Sequence, residues 1–254
     1  MSEATGPHAP HVRPHLPWRT RIFDPARYLA EIRHGVLPRL ARLHQDGESI
    51  LGVSVAIGVA IVLQYLLPAR ITRYQRVIFP AVGLVLVVAL VVGHRGRLNR
   101  PSPVLRGLML LTIASMAIAN GVAGLRLVRD LIEGEGIRAP EQLLFTGAAI
   151  WLTNVIVFAL VFWMFDRGGP VARFLVKDTP LDLLFPQHTM AEGAELWEPV
   201  FFDYLYTSFT NATAFSPTDV MPLSRWAKLA MMVESSLSLV LAILVVARAV
   251  NILH

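Results

Sequence analysis

The chain has 254 residues, 54% of them hydrophobic and 16% charged, with a mean hydropathy of +0.54 and a formal net charge of +5. That composition is too apolar and too poor in charge for an ordinary soluble domain. Cysteine is absent, so disulfides and thiolate metal sites are excluded. The basic side chains are nearly all arginine and stand at the ends of apolar runs. This placement points to orientation in a bilayer and contact with anionic lipid, not to nucleic acid.

Residues 1–49 hold no apolar core of the length a signal peptide needs. They carry seven arginines and five of the eight histidines. The spacing of His8, His11, His15, His34 and His44 fits no metal site, and the His/Pro-rich start reads as a solvated tail. Residues 26–44, ARYLAEIRHGVLPRLARLH, place Tyr28, Leu29, Ile32, Val36, Leu37 and Leu40 on one face of a basic helix. Such a helix either lies on a membrane surface or packs on the protein's own cytoplasmic side.

A hydrocarbon core about 30 Å thick calls for about 20 helical residues. Five runs approach that length: Ile50–Leu67, Val77–Gly93, Val104–Val128, Leu143–Phe165 and Trp226–Leu253. In lipid every backbone group is paired internally, so these runs are expected as helices. Ser54 with Gly58, and Ala117 with Gly121 and then Gly124, are small-residue signals for close helix packing. Asn120 and Asn154 are polar at depth and are expected to hydrogen-bond between helices. Trp151 and Trp163 are placed as interface anchors of the fourth run. Residues 166–198 form a polar, proline-containing connection, expected as an ordered external segment with a short surface helix.

The stretch DYLYTSFTNATAFSPTD (203–219) is unlike the rest. Pro199–Phe215 is expected as a short helix. With Asp203 and Asn211 it is a poor lipid-facing span. Its polar side chains suit a helix buried among others, or a re-entrant helix followed by a loop. Asp203, Tyr206, Ser208, Thr210, Asn211, Thr213, Ser216, Thr218 and Asp219 are therefore candidate cavity- or pore-lining groups. Glu234, about eight residues inside the last run, joins them as an intramembrane carboxyl. It shares a helix face with Ser238, Leu241 and Val245. Two readings stand for Glu234: a proton or cation site facing a wet cavity, or a satisfied partner of the Tyr/Thr/Asn segment that holds the bundle together.

The order of features over residues 143–254 is apolar span, polar linker, short aromatic and hydroxylic helix, Thr-containing loop, Asp219, Pro222, Arg225 and long apolar helix. It resembles the pore module of potassium channels, in which backbone carbonyls of a Thr-Val-Gly-Tyr-Gly-Asp loop replace the ion's hydration shell. Setting Asp219 on that aspartate puts Ser216 and Thr218 where the glycines stand and Pro217 between them. The filter's backbone conformations favour glycine, and Pro217 restricts itself and Ser216. The resemblance thus implies the architecture without potassium selectivity. FFDYLYTSFT (201–210), Thr218-Asp219-Val220, Arg225 and the ending Ala249-Val250-Asn251-Ile252 also look like an uncharacterised family of bacterial multi-span membrane proteins, known only as a domain of unknown function. That likeness implies a bacterial inner-membrane location and no known activity.

Arginine and lysine near the span ends set orientation. With a cytoplasmic N-terminus and a re-entrant 199–215, sixteen lie inside and seven outside; a full crossing gives fifteen and eight. No Gly-rich phosphate loop, HExxH or nucleophile elbow is present, so no enzyme, cofactor or metal centre is expected. The sequence therefore predicts an all-α polytopic membrane helix bundle of five full spans plus one polar re-entrant or sixth helix. Residues 1–49 are its cytoplasmic basic segment, 50–128 a three-span bundle, and 143–254 the pore-module-like region. The expected partners are the lipid bilayer, further copies of the chain and a small ion or proton, and the expected role is channel- or transporter-like. The alternative is a non-transporting membrane scaffold whose polar segment is structural.

Overall fold

The computed structural model describes residues 48–68, 81–83, 85, 86, 88, 97, 98, 103–133, 139–175, 180–190, 197–213 and 219–253. The histidine-rich start, the basic helix of 26–44 and most of the second apolar run lie outside these residues. So do Ser216, Pro217 and Thr218.

The fold is all-α apart from two short two-residue pairings. Its helices are α1 (Leu51–Leu66), α2 (Pro103–Ile132), α3 (Pro140–Phe165), α4 (Pro170–Leu175), α5 (Phe201–Thr213) and α6 (Arg225–Leu253). Among the described residues, α2, α3 and α6 are long and apolar enough to cross a membrane. With 16 residues, α1 is shorter than that, about 24 Å at 1.5 Å per residue. Of the second run, residues 81–83, 85, 86 and 88 are helical, and the Gly83 backbone lies against Ile57 and Ile61 of α1.

The central helix is α3, packed on by α1, α2, α5 and α6. Two thirds of its apolar window is buried (67%), against 28% for α6. Pro140 starts it at the first turn, where a missing N–H costs nothing. At its other end Arg167, Gly168 and Gly169 take positive φ values of 50°, 81° and 102° and stop the helix. Helix packing is close where α6 crosses α3. A Cβ on Gly147 would stand 2.7 Å from the Val245 side chain. Gly124 of α2 likewise faces Ile150 and Leu241, whereas Gly58 and Gly121 face nothing within 4 Å. The small-residue signals of α1 and early α2 are therefore not used against the described elements.

α2 and α6 run antiparallel to α3. Arg106 at the start of α2 donates to Gly168 O at 3.0 Å, and Asn120 Nδ2 donates to Ile150 O at 3.2 Å. Trp226 at the start of α6 sits on Phe165, while Val245 sits on Gly147. α5 also enters from the Asp166 end. Phe201 packs edge-on against Trp163 with ring centroids 6.1 Å apart, and Phe209 packs against Trp151 at 5.7 Å. Its 13 residues, about 20 Å at 1.5 Å per residue, stop halfway along α3. The chain is back at the Asp166 end by β4 (Met221–Pro222), which pairs antiparallel with β3 (Leu183–Leu184). A second antiparallel pair, β1 (Glu48–Ser49) with β2 (Arg97–Leu98), joins residues that precede α1 and α2.

Candidate functional site

α5 starts where two carboxyl groups meet its free N–H groups. Asp203, in the third helical position, accepts from Val200 N–H at 2.8 Å, the reach-back half of a capping box. Glu48 Oε1 accepts from Phe201 N–H at 2.7 Å. Negative charge here also complements the helix dipole. Along the helix, Thr207, Thr210 and Thr213 return their hydroxyls to carbonyls three or four residues back. These hydroxyls satisfy themselves locally. Phe201, Tyr204, Thr207, Ser208 and Ala212 form the buried face.

Halfway along the bundle this face meets α6 in a node of uncharged groups around Glu234, which is 0% exposed. Asn211 Nδ2 donates to Glu234 Oε2 at 2.6 Å and to Met231 O at 3.0 Å. Ser235 Oγ donates to Asn211 O and Oδ1, each at 3.0 Å. The Ser208 hydroxyl touches Val155 O of α3 at 2.7 Å and also Glu234 Oε1. One turn further, Asn154 Nδ2 donates to Ser238 Oγ at 3.2 Å. Deeper still, Gln64 Nε2 donates to Asn120 Oδ1 at 3.1 Å. Asn120 and Asn154 thus make the interhelical bonds expected of them. The buried stripe of α6, Ala227, Met231, Glu234, Ser238, Leu241, Val245 and Ala249, contains the face read from the sequence.

At the Asp166 end a second polar cluster is built from ions. Arg173 is 3% exposed. It donates to Trp163 O at 2.6 Å and Asp166 O at 3.1 Å, with its guanidinium over the Tyr204 ring at 4.9 Å. Its Nη2 lies 3.7 Å from Glu48 Oε2, which also accepts from Trp163 Nε1 at 2.9 Å. Burial pushes the Glu48 carboxyl above its ordinary range, against the pull of Arg173. Tyr204 OH donates to Asp166 Oδ2 at 2.6 Å. Arg167 pairs with Glu198, and its left-handed backbone is held by Arg167 N–H donating to Asp182 Oδ2 at 2.9 Å. Asp182 Oδ1 accepts from Trp226 Nε1 at 2.8 Å. Asp182 thereby ties the stop of α3 to the start of α6.

Next to this cluster, Phe185, His188 and Trp197 pack together, and Phe185 reaches Tyr204 at 5.4 Å. Phe185 N–H donates to His188 Nδ1 at 3.2 Å, so that nitrogen carries no proton. Burial and the facing Arg167 hold the His188 pKa below its ordinary value.

Of the ten residues singled out from sequence, the eight that are described do not all meet in one place. Ser208, Asn211 and Glu234 do meet. Asp203 caps α5 at the other end of that helix. Tyr206 OH donates to Asp219 Oδ2 at 3.3 Å on the exposed surface. Thr210 and Thr213 bond to their own helix, and Ser216 and Thr218 lie outside the described residues. Trp151 and Trp163 serve as packing partners for Phe209 and Phe201, with Trp163 buried at 1% exposed. The ionic cluster of Glu48, Asp166, Arg167, Arg173, Asp182, Glu198 and Tyr204 was not read from the sequence. Its one local signal was the Asp166-Arg167-Gly168-Gly169-Pro170 stop. No group of three or more metal-ligating side chains occurs among the described residues.

No protein-family model, curated protein or solved structure matches this chain. The likenesses drawn from residues 143–254 therefore rest on those residues alone.

Proposed function

We propose that this chain is a pore-loop membrane protein of the bacterial inner membrane. It crosses the bilayer five times and passes a small cation or proton through an assembly of several copies. The observation that carries this reading is the half-length α5. It enters beside α6 from one end, stops halfway along α3, and the chain returns to the end it left. A broken helix of this kind brings a helix terminus to mid-depth, where ion sites of channels and transporters are built. The terminus presented there is the C-terminal one, whose free carbonyls carry partial negative charge and favour a cation. Ser216, Pro217 and Thr218 in place of a glycine-bearing filter argue against potassium selectivity.

The grouping of basic residues supports a cytoplasmic N-terminus. Arg97, Arg106, Arg167, Arg173 and Arg225 belong to elements joined at the Asp166 end. These are the groups that the sixteen-to-seven count puts on one side. The re-entrant helix then opens from the cytoplasmic face.

A second reading is favoured by the completeness of the bonding around Glu234, which suits a non-transporting scaffold whose polar segment is glue. Purified protein in liposomes separates the two. Cation or proton flux above that of empty vesicles is expected. Flux equal to that of empty vesicles for both sinks the pore reading and leaves the scaffold.

A further inference from the structure

We propose that Glu234 is a proton-binding site: its carboxyl is held as the neutral acid, and that proton locks α5 between α3 and α6. Val155 O, Ser208 Oγ and Glu234 Oε1 stand in series at hydrogen-bond contact. Two oxygen–oxygen contacts in series are both full two-centre hydrogen bonds only with two protons; one proton shared between two acceptors, as at Ser235, leaves each contact weaker. The carbonyl has none and the hydroxyl has one. The second belongs to Glu234, which donates to Ser208 Oγ, while Ser208 donates on to Val155 O. The other carboxyl oxygen accepts from Asn211 Nδ2. Every member of the chain is then satisfied, as a fully enclosed network requires.

The surroundings agree. The groups turned toward Glu234 are Ser208 and Asn211 on α5 and the Val155 carbonyl on α3. Ser238, one turn along α6, bonds to Asn154. All of these are uncharged. Among the described residues no arginine, lysine or histidine is paired with Glu234. An ionised carboxylate there would sit enclosed with no counter-ion and would face Ser208 and Val155 O with one proton too few. Loss of the proton therefore breaks the contact between α5 and α3 at its deep end, while the Asp166 end keeps its ion pairs. The inference does not depend on ion passage. It concerns how the half-helix is held, and it stands whether flux is seen or not.

Glutamine mimics the protonated acid. Its amide NH2 donates to Ser208 and its carbonyl accepts from Asn211. Infrared spectra of the full-length protein at neutral pH, compared with those of E234Q, are expected to show a protonated-carboxyl C=O band, equivalent to one group per chain, that the variant lacks. Thermal unfolding of the wild type should fall in midpoint from neutral to alkaline pH, and E234Q should lose much less. A wild-type spectrum with only an ionised-carboxylate band removed by E234Q overturns the proposal. So do parallel pH curves, and so does failure of E234Q to accumulate, since the neutral amide is then not tolerated.

Discussion

The Asp166 end and the Glu234 node solve the same problem, buried polar groups between helices, in opposite ways. At the Asp166 end four carboxyl side chains, Glu48, Asp166, Asp182 and Glu198, surround two nearly inaccessible arginines. At the node a single carboxyl meets one hydroxyl and one amide and, among the described residues, no cation. The first arrangement suits the margin of a bilayer, where ions can be assembled and partly hydrated. The second suits its depth, where an unpaired charge is costly and a neutral network is not. The difference also assigns tasks to the two ends of α5: ion pairs anchor its entry, and a protonated acid fixes its tip.

The largest expected effect comes from breaking the ionic end. Arg173→Ala removes two carbonyl contacts and leaves the Glu48 carboxyl without its cation, while Asp166 keeps Arg167. A loss of about 3–5 kcal/mol is expected, read as unfolding midpoint in detergent. A double change of Arg173→Met with Glu48→Gln should recover part of it, because no charge is then left alone. If Arg173→Ala costs nothing, the cluster is not an anchor.

Backbone strain gives the next effect. Gly169 has φ +102°, and a Cβ there would stand 2.8 Å from Met164 O. Gly169→Ala should cost about 1–3 kcal/mol. Gly147→Ala, which pushes on Val245, should cost a similar about 1–3 kcal/mol by overpacking. The first should loosen the α4 turn and the second the α3–α6 crossing, a contrast that hydrogen exchange can read.

A smaller effect concerns His188. Its folded pKa lies below the unfolded value of 6.5. As pH falls through 6.5 the unfolded chain takes up a proton that the folded one refuses, so stability declines on acidification down to the lowered folded value. The side chain is only partly buried, and the change should stay below about 1 kcal/mol. It should vanish in His188→Gln. This sign is opposite to the alkaline loss expected at Glu234, so one pH series of the two variants separates the ends. Smallest of all, Tyr206→Phe removes only the exposed bond to Asp219 and should change stability by less than about 0.5 kcal/mol.

The long helices were legible because apolar length is a local property. The expected Leu143–Phe165 is Pro140–Phe165 and the expected Trp226–Leu253 is Arg225–Leu253. Apolar length alone misses the first turn at Pro140 because Glu141 and Gln142 are polar, although proline and an acidic residue suit a first turn. The half-helix was legible as well, as Pro199–Phe215 against Phe201–Thr213. Part of the node followed from helical spacing, because Glu234 and Ser238 share a face whatever packs on it. The ionic end did not follow. Glu48 bonds to Trp163 across 115 positions and to Phe201 across 153, and no periodicity encodes a partner at that separation. The close packing of Gly147 is no more legible, because its partner Val245 also lies far along the chain.

The central claim is that α5 turns back instead of crossing. The chain has no cysteine of its own, so single substitutions at three exposed positions can be labelled cleanly. Met190 and Leu223 flank α5 at the Asp166 end, and Ile132 ends α2 at the opposite end. With a membrane-impermeant maleimide on sealed vesicles of known orientation, Met190→Cys and Leu223→Cys should react from the same side and Ile132→Cys from the other. Reaction of Met190→Cys and Leu223→Cys from opposite sides would mean that α5 crosses, and the account would fail.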